Sequence, residues 1–171
     1  GYDRGALYTK EDINNALAAE TAEERKRIVP SEDRSGHGTA VAGIMAGNGS
    51  SSGGVNRGAA PGSELLVVKM GMTNEGGFPR TTELMLGLDF VIREAIHAGK
   101  PVAVNVSFGN SYGAHDGSSL LESYIDTVSQ IWKNNIIIAA GNNAVSAGHF
   151  RAVMISEKTL DADISVSEYE R

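Results

Sequence analysis

The chain has 171 residues, 41% hydrophobic and 21% charged, which suits one folded domain with a real core and argues against disorder. Fifteen Lys and Arg against 21 Asp and Glu leave a net charge of -6, and no basic stripe interrupts it, so a nucleic-acid surface is not expected. The absence of cysteine excludes a disulfide framework, a thiol nucleophile and a Cys-ligated metal.

No apolar run approaches the roughly 20 residues that span a bilayer, so no membrane partner is expected. Composition alone leaves the compartment open. Gly1 to Gly5 form neither an initiator nor a signal peptide, and Ser167 to Arg171 do not read as a natural terminus. The sequence is therefore expected to be a segment of a longer chain.

Residues 1–35 are polar and charge-rich. Glu11 to Arg27 reads as one helix with a thin apolar stripe at Ile13, Ala16 and Leu17. Thr9 is its expected N-cap, with Asp12 at the capping-box position. Pro30 to Ser35 is a turn-rich connector. A short helix follows over Gly38 to Ala46, with Val41, Ile44 and Met45 on one side. Asn48 to Gly58, rich in Gly and Ser, reads as a flexible surface loop.

Leu65 to Val68 is an uninterrupted apolar run, the pattern of a strand buried on both faces. Thr81 to His97 places Leu84, Leu88, Val91, Ile92 and Ala95 at helical spacing, and Gly99 stops that helix. Val102 to Val106 is the next strand. Ser118 to Asn134 is an amphipathic helix with Leu121, Tyr124, Val128 and Ile131 inward. Ile136 to Ala140 is a further buried strand. Strands alternating with helices through short links predict parallel pairing by right-handed crossovers. Beyond Gly148 the pattern shortens to strands at Ala152 to Ile155 and Ile164 to Val166.

Two patterns are set aside. Gly49-Ser50-Ser51-Ser52-Gly53 matches a hydrolase nucleophile elbow, but that elbow needs a strand-to-helix turn, and here it follows a helix. His97, His115 and His149 lack the i, i+4 spacing of a helical metal site. His97 falls instead in the last turn of its helix, where an imidazolium favours the dipole.

Chemistry concentrates in three strings. Ser35-Gly36-His37-Gly38-Thr39-Ala40-Val41-Ala42-Gly43 sets a histidine between glycines at a helix start. Glycine on both sides lets backbone and substrate approach the ring, although a structural histidine acting as N-cap would fit the string alone. Asn105-Val106-Ser107-Phe108-Gly109 ends one strand sharply, and Ala139-Ala140-Gly141-Asn142 ends the next in the same manner. In an open parallel sheet ligands bind outside the carboxyl ends of the strands, so both strings deliver polar groups to one edge. A turn residue of left-handed backbone is the plain alternative for Asn142.

In this order the strings resemble the subtilisin-like serine peptidases, the subtilase family. The His-Gly-Thr-x-Val-Ala-Gly box is His37 to Gly43. Gly58 to Pro61 and Leu65 to Lys69 resemble the loop and strand after the histidine helix. Ser107-Phe108-Gly109 resembles the substrate-binding segment, with Phe for the usual Leu, and Ala139 to Asn142 the strand end that carries the oxyanion asparagine. The likeness covers about residues 35–143. Residues 1–34 form a family-variable lead-in and 144–171 a β-rich extension of one partial catalytic domain. Tyr8 to Asn14 resembles a clostridial branch that includes spore-germination proteases.

The resemblance implies a three-layer α/β/α fold with a mostly parallel sheet, lacking both flanking catalytic segments. It implies serine endopeptidase activity on extended polypeptides, with His37 as general base and Asn142 as oxyanion donor. Ser107, Phe108 and Gly109 would pair with substrate main chain, as would Gly77 on a second edge. Pro79 would cost that edge a donor. Ala139, Ala140 and Gly141 would line the primary specificity pocket.

A bacterial protein, secreted or associated with the cell envelope or spore, is also implied. No cofactor is required: Asn48 to Val55 falls where relatives have a calcium loop but carries no carboxylate. Asp3, Asp12 and Asp33 do not fit the family's triad aspartate, and no Gly-Thr-Ser-Met helix start follows, so this segment alone is expected to be inactive. Its sheet edges would favour self-association. The alternatives are a pseudoprotease that works by binding and, more remotely, a nucleotide-binding α/β domain, for which the phosphate-cradling loop is misplaced.

Overall fold

A computed structural model describes residues 5–71, 80–107, 109, 116–142, 145 and 150–164. It divides into two compact units, Gly1–Val67 and Val68–Arg171.

In the first unit, α1 (Lys10–Ala18) begins on the expected capping box: the Asp12 amide donates to Thr9 Oγ1 at 3.3 Å, and the Thr9 amide to the Asp12 carboxylate at 2.7 Å. The single helix expected over Glu11 to Arg27 is two, because α2 (Ala22–Ile28) starts afresh. A second capping box causes the break. Thr21 Oγ1 accepts from the Glu24 amide at 3.2 Å, while Ala19 is already extended. Of the predicted stripe only Ala16 is buried; Ile13 and Leu17 face outward.

The next helix, α3 (His37–Ala46), runs one residue longer than expected at its start. Its last carbonyls would be orphans. The returning chain satisfies them, as the amides of Gly58, Ala59 and Ala60 donate to Gly47, Ile44 and Met45 at 2.8, 2.9 and 2.8 Å. That approach requires glycine at position 58, where a Cβ would come within 2.7 Å of the Ala46 and Gly47 nitrogens. Ile44, expected on one side with Val41 and Met45, is 74% exposed.

Between them the Ser/Gly loop contains local structure. Ser50–Ser52 form a single 3-10 turn flanked by left-handed Gly49 and Gly53. The Asn56 amide donates to Ser52 Oγ, and the Gly54 amide to the Gly49 carbonyl, both at 2.8 Å. The elbow geometry is absent there.

The second unit holds α4 (Thr81–His97), β1 (Val102–Val106), α5 (Leu120–Ser129) and β2 (Asn134–Ile138). Helix α4 has the predicted bounds and buries Leu88, Val91, Ile92 and Ala95. It ends in a Schellman motif: the Gly99 amide donates to Ile96 and the Lys100 amide to Ala95, with Gly99 left-handed at φ 65°. Helix α5 is shorter than predicted. Ser119 caps its start through Glu122, and the chain turns at Gln130 to Lys133 around Trp132, whose indole N–H donates to the Lys100 carbonyl at 2.7 Å.

Strands β1 and β2 pair in parallel, Val102 opposite Asn134 and Val106 opposite Ile138. α4 packs on β1 and on α5, and α5 packs on β2. Tyr124 ties the helices by donating its hydroxyl to the Met85 carbonyl at 3.1 Å, and its partial burial raises its pKa.

This is an α/β fold, and within the second unit one sheet face is covered. Along β1, Val102, Val104 and Val106 turn inward while Ala103 and Asn105 are exposed; on β2, Ile137 is 51% exposed. The expected burial of β2 on both faces is thus corrected within this unit.

Two expected strands are not formed. Leu65 to Val68 pairs with no strand among the described residues, and Leu65, Leu66 and Val67 are exposed. Ala152 to Ile155 is likewise unpaired, with Val153 82% exposed, and the described part of the β-rich extension contains no strand. Apolar runs become strands only where a ladder partner satisfies their amides and carbonyls. Of the last expected strand, Ser165 and Val166 lie outside the described residues. No helix among the described residues is long and apolar enough to cross a membrane.

Candidate active site

His37 is the first residue of α3 and exposed. The N-cap is Gly36, in left-handed backbone at φ 75°, so the histidine is not the cap itself. A glycine cap brings no side-chain oxygen to the free amides of the first turn. Asp33 supplies it from outside the helix. Its Oδ1 accepts from the Ser35 amide and hydroxyl at 3.2 and 3.3 Å and from the Gly36 amide at 2.9 Å. Its Oδ2 accepts from the Thr39 amide at 2.8 Å and the Thr39 hydroxyl at 2.7 Å. The His37 amide donates in turn to Ser35 Oγ at 3.2 Å.

These donors hold the Asp33 carboxyl well below the usual carboxylate range, the Thr39 hydroxyl most of all and the Thr39 and Gly36 amides next. Because its folded pKa is depressed, the clamp is whole above about pH 4, the ordinary carboxylate value, and is lost only as pH falls through the lowered one. With five donors on roughly four lone-pair sites the carboxylate is saturated. It has no acceptor to spare for an imidazole.

In the second unit the parallel pairing puts the ends of β1 and β2 side by side, and the Ala139 amide donates to the Val106 carbonyl at 3.0 Å, tying the two departures together. Ser107 and Gly109 leave β1 there; Ala139, Ala140, Gly141 and Asn142 leave β2 at the same edge, all exposed apart from half-buried Ser107. The left-handed turn position is taken by Gly141 at φ 88°, so Asn142 is not there for that conformation. Its side chain is exposed at the strand ends, where a ligand can reach it. Phe108 and Gly77 lie outside the described residues, as do Pro79, His115 and His149.

Sequence reasoning missed two supports. Asp33, with Ser35 and Thr39, was legible as an Asx-turn followed by a helix start. Asn105 donates its side-chain amide to Ser107 Oγ at 2.6 Å, a contact available because residues two apart on a strand share a face. His97 sits in the last turn of α4 as expected, 3.6 Å from Glu94. Among the described residues no three His, Asp or Glu side chains gather as a metal site.

Comparison with known proteins gives the family. The chain is 25% identical over 158 residues to the serine protease AprX of Bacillus subtilis (strain 168), covering 90% of this chain and 35% of that protein. The solved structure of the Clostridium perfringens CspB protease superposes with a TM-score of 0.72 at 41% identity, covering 81% of this chain and 29% of that one. The chain thus spans about a third of each relative. The profile of the subtilase family matches residues 2–170, and the chain belongs to that family.

Proposed function

We propose that this chain carries the general base and the oxyanion donor of a subtilisin-type serine endopeptidase. The attacking serine and the aspartate that orients the imidazole come from outside these residues; the span of about a third of each relative leaves room for them. In the whole protein the serine oxygen bonds to the scissile carbonyl carbon while His37 takes the serine proton. The tetrahedral oxyanion is met by the Asn142 side-chain amide. His37 then passes the proton to the leaving amine as the C–N bond breaks, and water releases the acyl group by the same steps in reverse.

Substrate main chain runs as an added strand along Ser107 to Gly109 and along the second edge at Gly77, while Ala139 to Gly141 wall the side-chain pocket. Without a nucleophile the chain alone is inactive. The observation that carries this reading is the parallel register that brings the departures of β1 and β2 to one edge, in a chain that also starts a helix on His37.

The test uses the full-length protein and a fluorophosphonate probe, which labels only an activated serine. Labelling that disappears in His37→Ala supports the enzyme. A folded protein that is never labelled moves the reading to a binding-only pseudoprotease.

A further inference from the structure

The polar network in front of α3 is larger than a helix cap needs. One good acceptor commonly satisfies one of the free amides of a first turn. Asp33 takes the Gly36 and Thr39 amides directly, and the His37 amide through the Ser35 hydroxyl. The residues on either side of the histidine, and the histidine backbone itself, therefore hang from one carboxylate. Thr39 closes the ring a second time through its own hydroxyl. The carboxylate also sits at the positive end of the helix dipole.

Among the described residues no packing holds this end: His37 to Ala40 are all exposed, and α3 contains no buried residue. The contacts that the structure gives to the backbone around His37 are hydrogen bonds, with Gly36 left-handed ahead of it. A general base must sit within hydrogen-bond reach of the proton it takes, and a misplacement of about 1 Å can cost on the order of 100-fold in rate.

We propose that Asp33 is a positioning residue for His37, acting through Ser35 and Thr39 on the backbone from which the imidazole projects. It does not touch the reacting atoms. The inference rests on the reading of His37 as general base. A cap that served stability alone would lower the melting temperature when removed and leave turnover per folded molecule intact. A positioning residue changes kcat while substrate binding at the strand ends, and so KM, is preserved.

The experiment compares full-length wild type with Asp33→Asn, Thr39→Val and Thr39→Ser on a peptide substrate, alongside thermal melting. Asp33→Asn removes an acceptor and the charge; Thr39→Val removes the hydroxyl at nearly constant shape; Thr39→Ser returns it. The expected result is a kcat lowered by about 10- to 100-fold in Asp33→Asn, following the cost of misplacement above. Thr39→Val should show a smaller loss, KM should stay within about threefold in both, and Thr39→Ser should recover most of what Thr39→Val loses. If Asp33→Asn does not fold, the two Thr39 variants decide alone.

A kcat within twofold of wild type in folded Asp33→Asn or Thr39→Val, with only the melting temperature lowered, overturns the proposal. So does a Thr39→Ser variant no better than Thr39→Val. A wild type that is inactive, or an activity that survives His37→Ala, overturns the reading of His37 and the proposal with it. Those wild-type controls keep the two failures apart.

Discussion

The two candidate regions, one in each unit, are held by different physics. Around α3 the fixing is local and polar: Asp33 at one end, the amides of Gly58 to Ala60 at the other, and apolar side chains such as Ile44 turned outward. Around the strand ends it is long-range and apolar. Leu88, Val91, Ile92 and Ala95 of α4, Val106 of β1 and Val128 of α5 are buried, in helices and a strand where α4 packs on β1 and on α5. The difference teaches which perturbation reaches which half. Changes in hydrogen bonding should act on the histidine, and changes in core volume on the strand ends.

The sharpest break in that symmetry is chemical. If Asn142 is the oxyanion donor proposed above, Asn142→Ala in the full-length protein should lower kcat by about 10²- to 10³-fold, the loss found for an oxyanion-hole side-chain donor in a subtilisin, with little change in KM. Steady-state kinetics on a peptide substrate checks it. A rise in KM at constant kcat would mean that Asn142 binds the ground state and is not an oxyanion donor.

A smaller effect sharpens the comparison. Leu88 is 2% exposed, and Leu88→Ala should cost about 2–5 kcal/mol of stability through lost burial and a cavity. Denaturant unfolding of the full-length variant measures the loss, and hydrogen exchange locates it. The account expects faster exchange in α4, α5 and the two strands, with the Gly36 to Thr39 amides unchanged. Equal exposure of both regions would contradict their separate means of support.

Local signals were well read from the sequence. Thr9 with Asp12, the full span of α4 and the glycine stop at Gly99 depend on neighbours within a few residues, and each formed as expected. The bounds of β1 were legible too, since Val102 to Val106 alternates against α4 and lies between clear breaks. Thr21 with Glu24 carried the same kind of signal, but the apolar periodicity of Glu11 to Arg27 masked it and two helices were read as one.

What the sequence could not tell is whether an apolar run finds a partner. Leu65 to Val68 and Ala152 to Ile155 have strand composition, yet pairing is a property of distant residues, and none of the described residues supplies it. The candidate site divides in the same way. The His37 string and the two strand ends stood out because glycines and polar residues interrupt apolar elements at regular places. Asp33 was set aside for the triad role, and its contacts become visible only with the geometry of five donors around one carboxylate.

The central claim is that His37 works beside an activated serine. A peptidyl chloromethyl ketone, which binds as substrate and alkylates a neighbouring imidazole, tests it on the full-length protein, with the adduct located by tandem mass spectrometry. The account predicts alkylation of His37 that is abolished when the serine has first been blocked with a fluorophosphonate. Alkylation of another histidine, or of His37 at the same rate after the serine is blocked, would contradict it.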